Sequence, residues 1–262
     1  MNAGRVRAVF KRHLYMTLTS PPRIFDWLFW PAIDIMLWGF LTTFLRQQGA
    51  KLPVPIGFLL GGFLLWDMVF RSENGIALAF LDETWSRNVL NILASPVTPT
   101  EYTAGAMLWG LSRMAVGWSI IATQAWLVFS FAPSAYGPAL ILFAGALLLF
   151  AVALAMLVLG LVLRFGNGAT ILAWGATAFF MPLSAVFYPV SVLPGWARAI
   201  SGLLPTAQVF ESMRTVIGGG AIPWDRLARA FALDAAFLLG AFWFARAMFA
   251  TLRRRGYITR FM

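Results

Sequence analysis

An unbroken apolar run extends from residue 139 to residue 163, with the sequence ALILFAGALLLFAVALAMLVLGLVL. It is longer than the roughly 20 residues that an α-helix needs to cross about 30 Å of hydrocarbon. Its apolar character is continuous rather than alternating, which favours a helix over a strand of a membrane β-barrel. The run therefore predicts a membrane-spanning helix.

The remainder of the chain has the same character. Hydrophobic residues make up 60% of its 262 positions, charged residues only 11%, and the mean hydropathy is +0.78. A soluble domain could not hide so much apolar surface in one core. We therefore expect an all-α, polytopic membrane protein with six spans. The six apolar runs are residues 24–45, 55–70, 105–131, 139–163, 168–190 and 231–252.

Charged residues interrupt the second of these runs. Apolar residues resume at 76–81, after Arg71, Glu73 and Asn74. A helix from residue 55 to residue 81 would be about 40 Å long at 1.5 Å per residue. We expect this span to bury Arg71 and Glu73 near its inner end.

Residues 1–22 predict an amphipathic helix that lies flat on an anionic membrane surface, with His13 at the headgroups. The segment has neither the apolar region nor the cleavage site of a secretory signal, so we expect it to be retained. Ser20-Pro21-Pro22 ends the helix before the first span. Its apolar side holds Val6, Val9, Phe10, His13 and Leu14, and its basic side holds Arg5, Lys11 and Arg12.

The basic residues predict the orientation in a bacterial inner membrane. With six spans, both termini lie on one side, and thirteen of the basic residues fall there against six on the other. This bias favours cytoplasmic termini, and it explains the net charge of +10 without a nucleic-acid partner. The thirteen are Arg5, Arg7, Lys11, Arg12, Arg23, Arg71, Arg87, Arg164, Arg246, Arg253, Arg254, Arg255 and Arg260. The six are Arg46, Lys51, Arg198, Arg214, Arg226 and Arg229.

Residues 82–102, DETWSRNVLNILASPVTPTEY, separate the second run from the third, and we call them the polar island. Their pattern predicts one amphipathic cytoplasmic helix, ended by Pro96 and Pro99. Two interpretations stay open, a docking surface for another protein and a helix lying in the lipid headgroups. One side of this helix would carry Leu81, Trp85, Val89 and Ile92, and another would carry Glu83, Arg87 and Asn91.

Residues 191–229 fall on the outer side in the predicted topology. The prolines and glycines of this segment predict two short helices, each too short to span, that dip back into the outer leaflet. Glu211 and Arg214 can pair because they are three residues apart. The segment is either a cap or a gate, and its candidate gate residues are Trp196, Pro205, Glu211 and Arg214.

Asp26, Asp34, Asp67, Arg113 and Asp234 also lie in or near the spans, where each is costly unless it is paired or hydrated. Asp26 and Asp234 are near span ends, and we expect them to reach the headgroups. Asp34, Asp67 and Arg113 lie deeper, and they either line a translocation path or pair with one another.

Taken in order, these features resemble the permease subunit of ABC-2 type transporters, in the branch with nodulation-factor, drug-resistance and polysaccharide exporters. The resemblance covers nearly the whole chain. Besides the flat helix and six spans, it is carried by Glu83-x-Trp85, Leu93-Ala-Ser-Pro96, Glu101, Leu193-Pro-x-Trp196 and Pro205-x5-Glu211-x-x-Arg214.

The resemblance implies a homodimer that carries two separate ABC ATPase subunits and exports an amphipathic or lipid-linked substrate such as a glycolipid, polysaccharide, lipid or drug. It makes residues 1–22 an interfacial helix, residues 23–262 the transmembrane domain, and the polar island the coupling segment. The implied ATPase-docking residues are Glu83, Trp85, Arg87, Asn88, Val89 and Ile92.

The sequence contains few residues of the kinds that bind nucleotides or metals or that act in catalysis. Its only lysines, Lys11 and Lys51, are not in a P-loop, so we expect ATP and Mg²⁺ on the partner subunit alone. It has no cysteine and only His13, so we expect no bound cofactor, no His or Cys metal site and no catalytic residues. An ion-coupled transporter or channel without an ATPase remains the alternative, and a membrane scaffold is a third class.

Overall fold

The structure is a computed structural model that describes residues 1–47, 57–86 and 88–255. All regular elements in these ranges are helical, which confirms the all-α prediction. Arg87, Lys51, Arg260 and the start of the second predicted run lie outside the described residues. The α-helices are α1 (Ala3–Leu18), α2 (Pro21–Gln47), α3 (Gly57–Trp85), α4 (Val89–Ala94), α5 (Pro99–Phe129), α6 (Ala139–Phe165), α7 (Leu172–Leu183), α8 (Gly195–Gly202), α9 (Pro205–Ile217) and α10 (Trp224–Arg255).

Among the described helices, α2, α6 and α10 are long and apolar enough to cross a membrane. The other three predicted runs fall on α3, α5 and α7, of which α3 and α5 have 29 and 31 residues. These helices confirm a polytopic membrane protein. The sixfold crossing and the orientation stay predictions.

Helices α3 and α6 form the centre of the bundle. α3 packs against α2, α5, α6 and α7, and α6 also packs against α9 and α10. α3 runs without a break past Arg71 and Glu73, and both side chains are buried as the sequence predicts. Helix α3 therefore places charged side chains inside the bundle.

Two close approaches fix how neighbouring helices cross. Gly75 of α3 meets Gly110 of α5, where a Cβ on Gly75 would lie 3.0 Å from the Cα of Gly110. At Gly105, a Cβ would lie 2.6 Å from the Cβ of Val9, so this glycine lets α1 lie against α5. Small residues allow such backbone contact between helices.

The fifth predicted run contains a shorter α-helix than its apolar pattern indicates. α7 has 12 residues and ends one residue after Pro182, whose missing N–H and ring disfavour continuation. Ala185 then adopts a left-handed φ of 52°, which turns the chain away. The two short helices expected next are present as α8 and α9, and Phe210 and Met213 of α9 are fully buried in the bundle.

Candidate functional site

The polar island is not the single helix that its periodicity predicts. α3 ends at Trp85, and a separate short helix, α4, starts at Val89. Ser86 Oγ donates to the Asp82 carbonyl oxygen at 2.7 Å, and Asn88 N donates to the Glu83 carbonyl oxygen at 2.8 Å. The Ser86 hydroxyl competes in this way with the regular helical bonds, and the Asn88 N–H reaches back five residues instead of four, so the regular helical pattern ends here.

Glu83 anchors the island to the N-terminal helix. Its carboxylate is fully buried and accepts two hydrogen bonds from the Arg12 guanidinium, at 2.7 and 2.8 Å. Asn88 Nδ2 donates a third at 2.7 Å. Such a bidentate, charge-assisted pair fixes orientation as well as distance. The expectation that Glu83 itself contacts a partner is wrong for this structure, because Glu83 has no exposed surface.

Glu101 makes a second link, at the start of α5. Its side chain closes a capping box with Thr98, and it also accepts from Asn2 N at 2.7 Å and from Arg5 Nη1 at 3.5 Å. The backbone N–H groups of Thr98 and then Asn2 lower the pKa of Glu101 to about 2. The carboxylate therefore stays charged at all physiological pH values.

Arg23, at the start of α2, makes the third link. Its guanidinium donates to both oxygens of Asp82, at 2.8 and 3.2 Å. Three arginines between residues 5 and 23 thus each hold one acid of the island, so Arg5 and Arg12, from the basic side of α1, make ion pairs within the protein. We call the set the arginine clamp: Arg5 with Glu101, Arg12 with Glu83, and Arg23 with Asp82.

The remaining predicted docking residues differ in their exposure. Trp85 is 48% exposed, whereas Asn88 and Ile92 are half-buried. Val89 belongs to α4, but its side chain, like Arg87, lies outside the described residues. Trp85 is therefore accessible to a partner, and Asn91, Ala94 and Pro96, farther along the island, are also exposed.

His13 does not face the headgroups. It is 2% exposed, it packs edge-on against Tyr102, and its Nε2 lies 4.0 Å from Glu83 Oε1. The apolar side of α1 faces α5 rather than lipid, which explains the burial. Burial lowers the pKa of His13 below its ordinary value.

We expect the packing of α1 to weaken in mild acid because of His13. The unfolded chain, with an imidazole pKa of about 6.5, takes up a proton before the buried side chain does. The contribution of neutral His13 to stability is thus fully present above about pH 6.5, and it is lost as the pH falls below that value. Thermal unfolding of the purified protein from pH 7.5 to 5.5 should show a fall of a few degrees in Tm, and His13→Gln should flatten it. An equal fall in both proteins would contradict this assignment.

The deep charges form ion pairs between helices. Arg71 Nε lies 2.6 Å from Asp67 Oδ2, and Arg71 Nη2 lies 3.6 Å from Asp34 Oδ2, which joins α3 to α2. Arg113 of α5 pairs with Asp26 of α2 at 3.2 Å. Asp34, Asp67 and Arg113 are therefore paired, but through Arg71 and Asp26 rather than with one another. The sequence predicted that Asp26 reaches the headgroups, whereas in the structure it pairs with Arg113.

Two other acids are buried without a partner in the described part of the chain. Asp234 is fully buried in α10, and neither carboxylate oxygen has a hydrogen-bond partner among the described residues. The expectation that Asp234 reaches the headgroups is wrong, because α10 turns this residue inward. Glu73 of α3 has the same environment. Such groups are costly in a membrane protein and mark candidate functional positions.

The outer segment is held by Glu211 and Arg214, which pair at 2.9 Å as predicted. Glu211 also accepts from Val190 N at 2.7 Å, and Arg214 donates to the carbonyl oxygens of Ala185 and Tyr188. α9 is thereby fastened to the turn after α7. The other two candidate gate residues differ: Pro205 begins α9 and is buried, whereas Trp196 is 68% exposed.

The helical bundle and its apolar helices define a polytopic all-α membrane protein with a folded polar element on one end. The chain belongs to the ABC-2 type transporter family, whose profile matches residues 6–217. The matched region includes the whole polar island and ends with α9. The predicted class of membrane permease is thereby confirmed, and the chain is the transmembrane part of a transporter rather than its ATPase. No curated protein matches the chain.

Proposed function

We propose that the chain is the permease subunit of an ATP-driven exporter, working as a homodimer with two copies of a separate ABC ATPase. The arginine clamp carries this proposal. It joins α1 to the ends of α3 and α5 that lie in the polar island, and α2 to the same end of α3, so that a force on the island would move these helices together. A helix lying passively in the headgroups has no need of three such ion pairs.

The ATPase would bind at the exposed surface that begins with Trp85. Aromatic side chains are common anchors of protein interfaces, and a large exposed tryptophan beside a polar turn suits that role. Glu83 then acts as a positioning residue, because it holds the turn that presents Trp85. ATP and Mg²⁺ would be bound by the partner.

The substrate would be amphipathic or lipid-linked, and it would leave the cytoplasm or the inner leaflet. Membership of the ABC-2 family supports a transporter. Few charged side chains lie deep in the described part of the bundle, and all of them except Glu73 and Asp234 are paired. The interior is therefore largely apolar, which suits a lipid-like molecule. The pairs of Arg71 and Arg113 would hold α2, α3 and α5 in register. The fastened outer segment, with Glu211 and Arg214, would open or close the far end.

One observation favours the alternative of an ion-coupled transporter. Glu73 and Asp234 are buried carboxylates of the kind that proton-coupled carriers use. Such a carrier would depend on an ion gradient and would work without an ATPase.

Affinity purification of the tagged chain from native membranes in mild detergent distinguishes the two. We expect an ATPase with Walker motifs to remain bound, as identified by mass spectrometry. If no such ATPase is recovered and none stimulates the reconstituted chain, the exporter proposal fails and the ion-coupled alternative replaces it.

A further inference from the structure

A groove of about 640 Å³ lies between α5, α6 and α10. This volume is within the range of about 300–1,000 Å³ that is usual for ligand sites. Its walls are apolar and come from Met107 of α5, Met156 and Leu159 of α6, and Phe242 and Phe249 of α10. One charged residue, Arg246, lines it.

Arg246 is exposed and, unlike the arginines of the clamp, makes no ion pair or side-chain hydrogen bond within residues 1–47, 57–86 and 88–255. All ten acids of the chain lie in those ranges, so none of them supplies a partner in this structure. The groove thus presents a cation beside apolar walls and no anion.

The groove lies at the end of the bundle where α5 begins and where α6 and α10 end, since Pro99, Thr100 and Ala250 also line it. The polar island adjoins the same end, and α10 finishes with Arg253, Arg254 and Arg255. Basic residues clustered at the end of an apolar helix attract anionic headgroups. The mouth of the groove would therefore stand at headgroup level.

We propose that this groove binds an anionic phospholipid, with its phosphate on Arg246 and an acyl chain along the apolar walls. A second copy of the chain fits less well, because it would bury Arg246 without an acid to pair with it. Asp225, an exposed acid, lies at the opposite end of α10. The site is separate from the ion pairs of Arg71 and Arg113, and its occupation does not depend on the identity of the exported substrate.

Native mass spectrometry of the full-length chain, titrated with phosphatidylglycerol, phosphatidylcholine or inorganic phosphate, tests the proposal. We expect phosphatidylglycerol to bind about fivefold more tightly than phosphatidylcholine, and phosphate alone not to compete. Arg246→Gln should remove this preference, and Arg246→Lys should keep most of it. Arg229→Gln is the matched control, because Arg229 is an exposed arginine near the other end of the same helix.

Ala250→Trp provides a second test, since it fills the mouth of the groove from an exposed position. We expect it to weaken binding of both lipids while the protein stays folded. The proposal is overturned if Arg246→Gln retains the preference for phosphatidylglycerol. It is also overturned if Ala250→Trp changes the oligomeric state and leaves lipid binding intact, which would assign the groove to a second copy.

Discussion

Glu83→Lys is expected to detach α1 from the bundle and to destabilise the protein by about 3–5 kcal/mol. The substitution places an ammonium where a fully buried carboxylate accepts from Arg12 and Asn88. The new ammonium would then be buried beside the Arg12 guanidinium, without an anion to pair with it. Thermal or denaturant unfolding of the purified chain measures the loss, and ATPase recovery should fall with it.

Two further variants separate pairing from general misfolding. Asp225→Lys makes the same change of charge at an exposed acid in the first turn of α10, and we expect it to have little effect. The charge-swapped double variant, Arg12→Glu with Glu83→Arg, should recover part of the lost stability. If Glu83→Lys unfolds no more easily than Asp225→Lys, the clamp does not hold α1 in place.

Arg71→Met is the second substitution with a large expected effect. It leaves Asp67, which is 3% exposed, without the guanidinium 2.6 Å from its carboxylate, and it also removes the link to Asp34. Loss of one member of a buried pair costs about 3–5 kcal/mol because the other charge stays buried. The free energy of unfolding in mixed micelles should fall by this amount, and Arg46→Met, at an exposed arginine of α2, should change it little.

Adding Asp67→Asn to Arg71→Met gives the informative result. If these charges only stabilise the packing of α2 and α3, the double variant, with neutral side chains at both positions, should regain most of the lost stability. A double variant as unstable as Arg71→Met alone would rule out this role for the pair.

The fold was largely predictable because long apolar runs in the sequence indicate membrane-spanning helices. The runs at 139–163 and 24–45 coincide with α6 and α2, since hydrocarbon leaves the backbone no other regular structure. The burial of Arg71 and Glu73 was also predictable from the length of the second run. The short α7 was not, because its end depends on the left-handed turn at Ala185, which is set by tertiary contacts with Arg214.

The candidate site was predictable in position but not in detail. The order of motifs located the polar island, whereas the arginine partners of its acids are 59 to 96 residues away in sequence. In the sequence, Arg5, Arg12 and Arg23 look like any other cytoplasmic basic residues. A single sequence therefore did not show whether they form ion pairs or contact lipid. The end of α3 at Trp85 was missed for another reason. Hydrophobic periodicity alone does not record the hydrogen bonds of Ser86 and Asn88.

Photocrosslinking from position 85 in native membranes tests the central claim, that the island is where an ATPase docks. A photoreactive amino acid in place of Trp85 is compared with the same residue in place of Trp224, which is 65% exposed in the first turn of α10. We expect a crosslinked product with a Walker-motif ATPase from position 85 and none from position 224. Crosslinks from position 85 to lipid alone, with the chain folded and inserted, would contradict the account and would make the island a headgroup element.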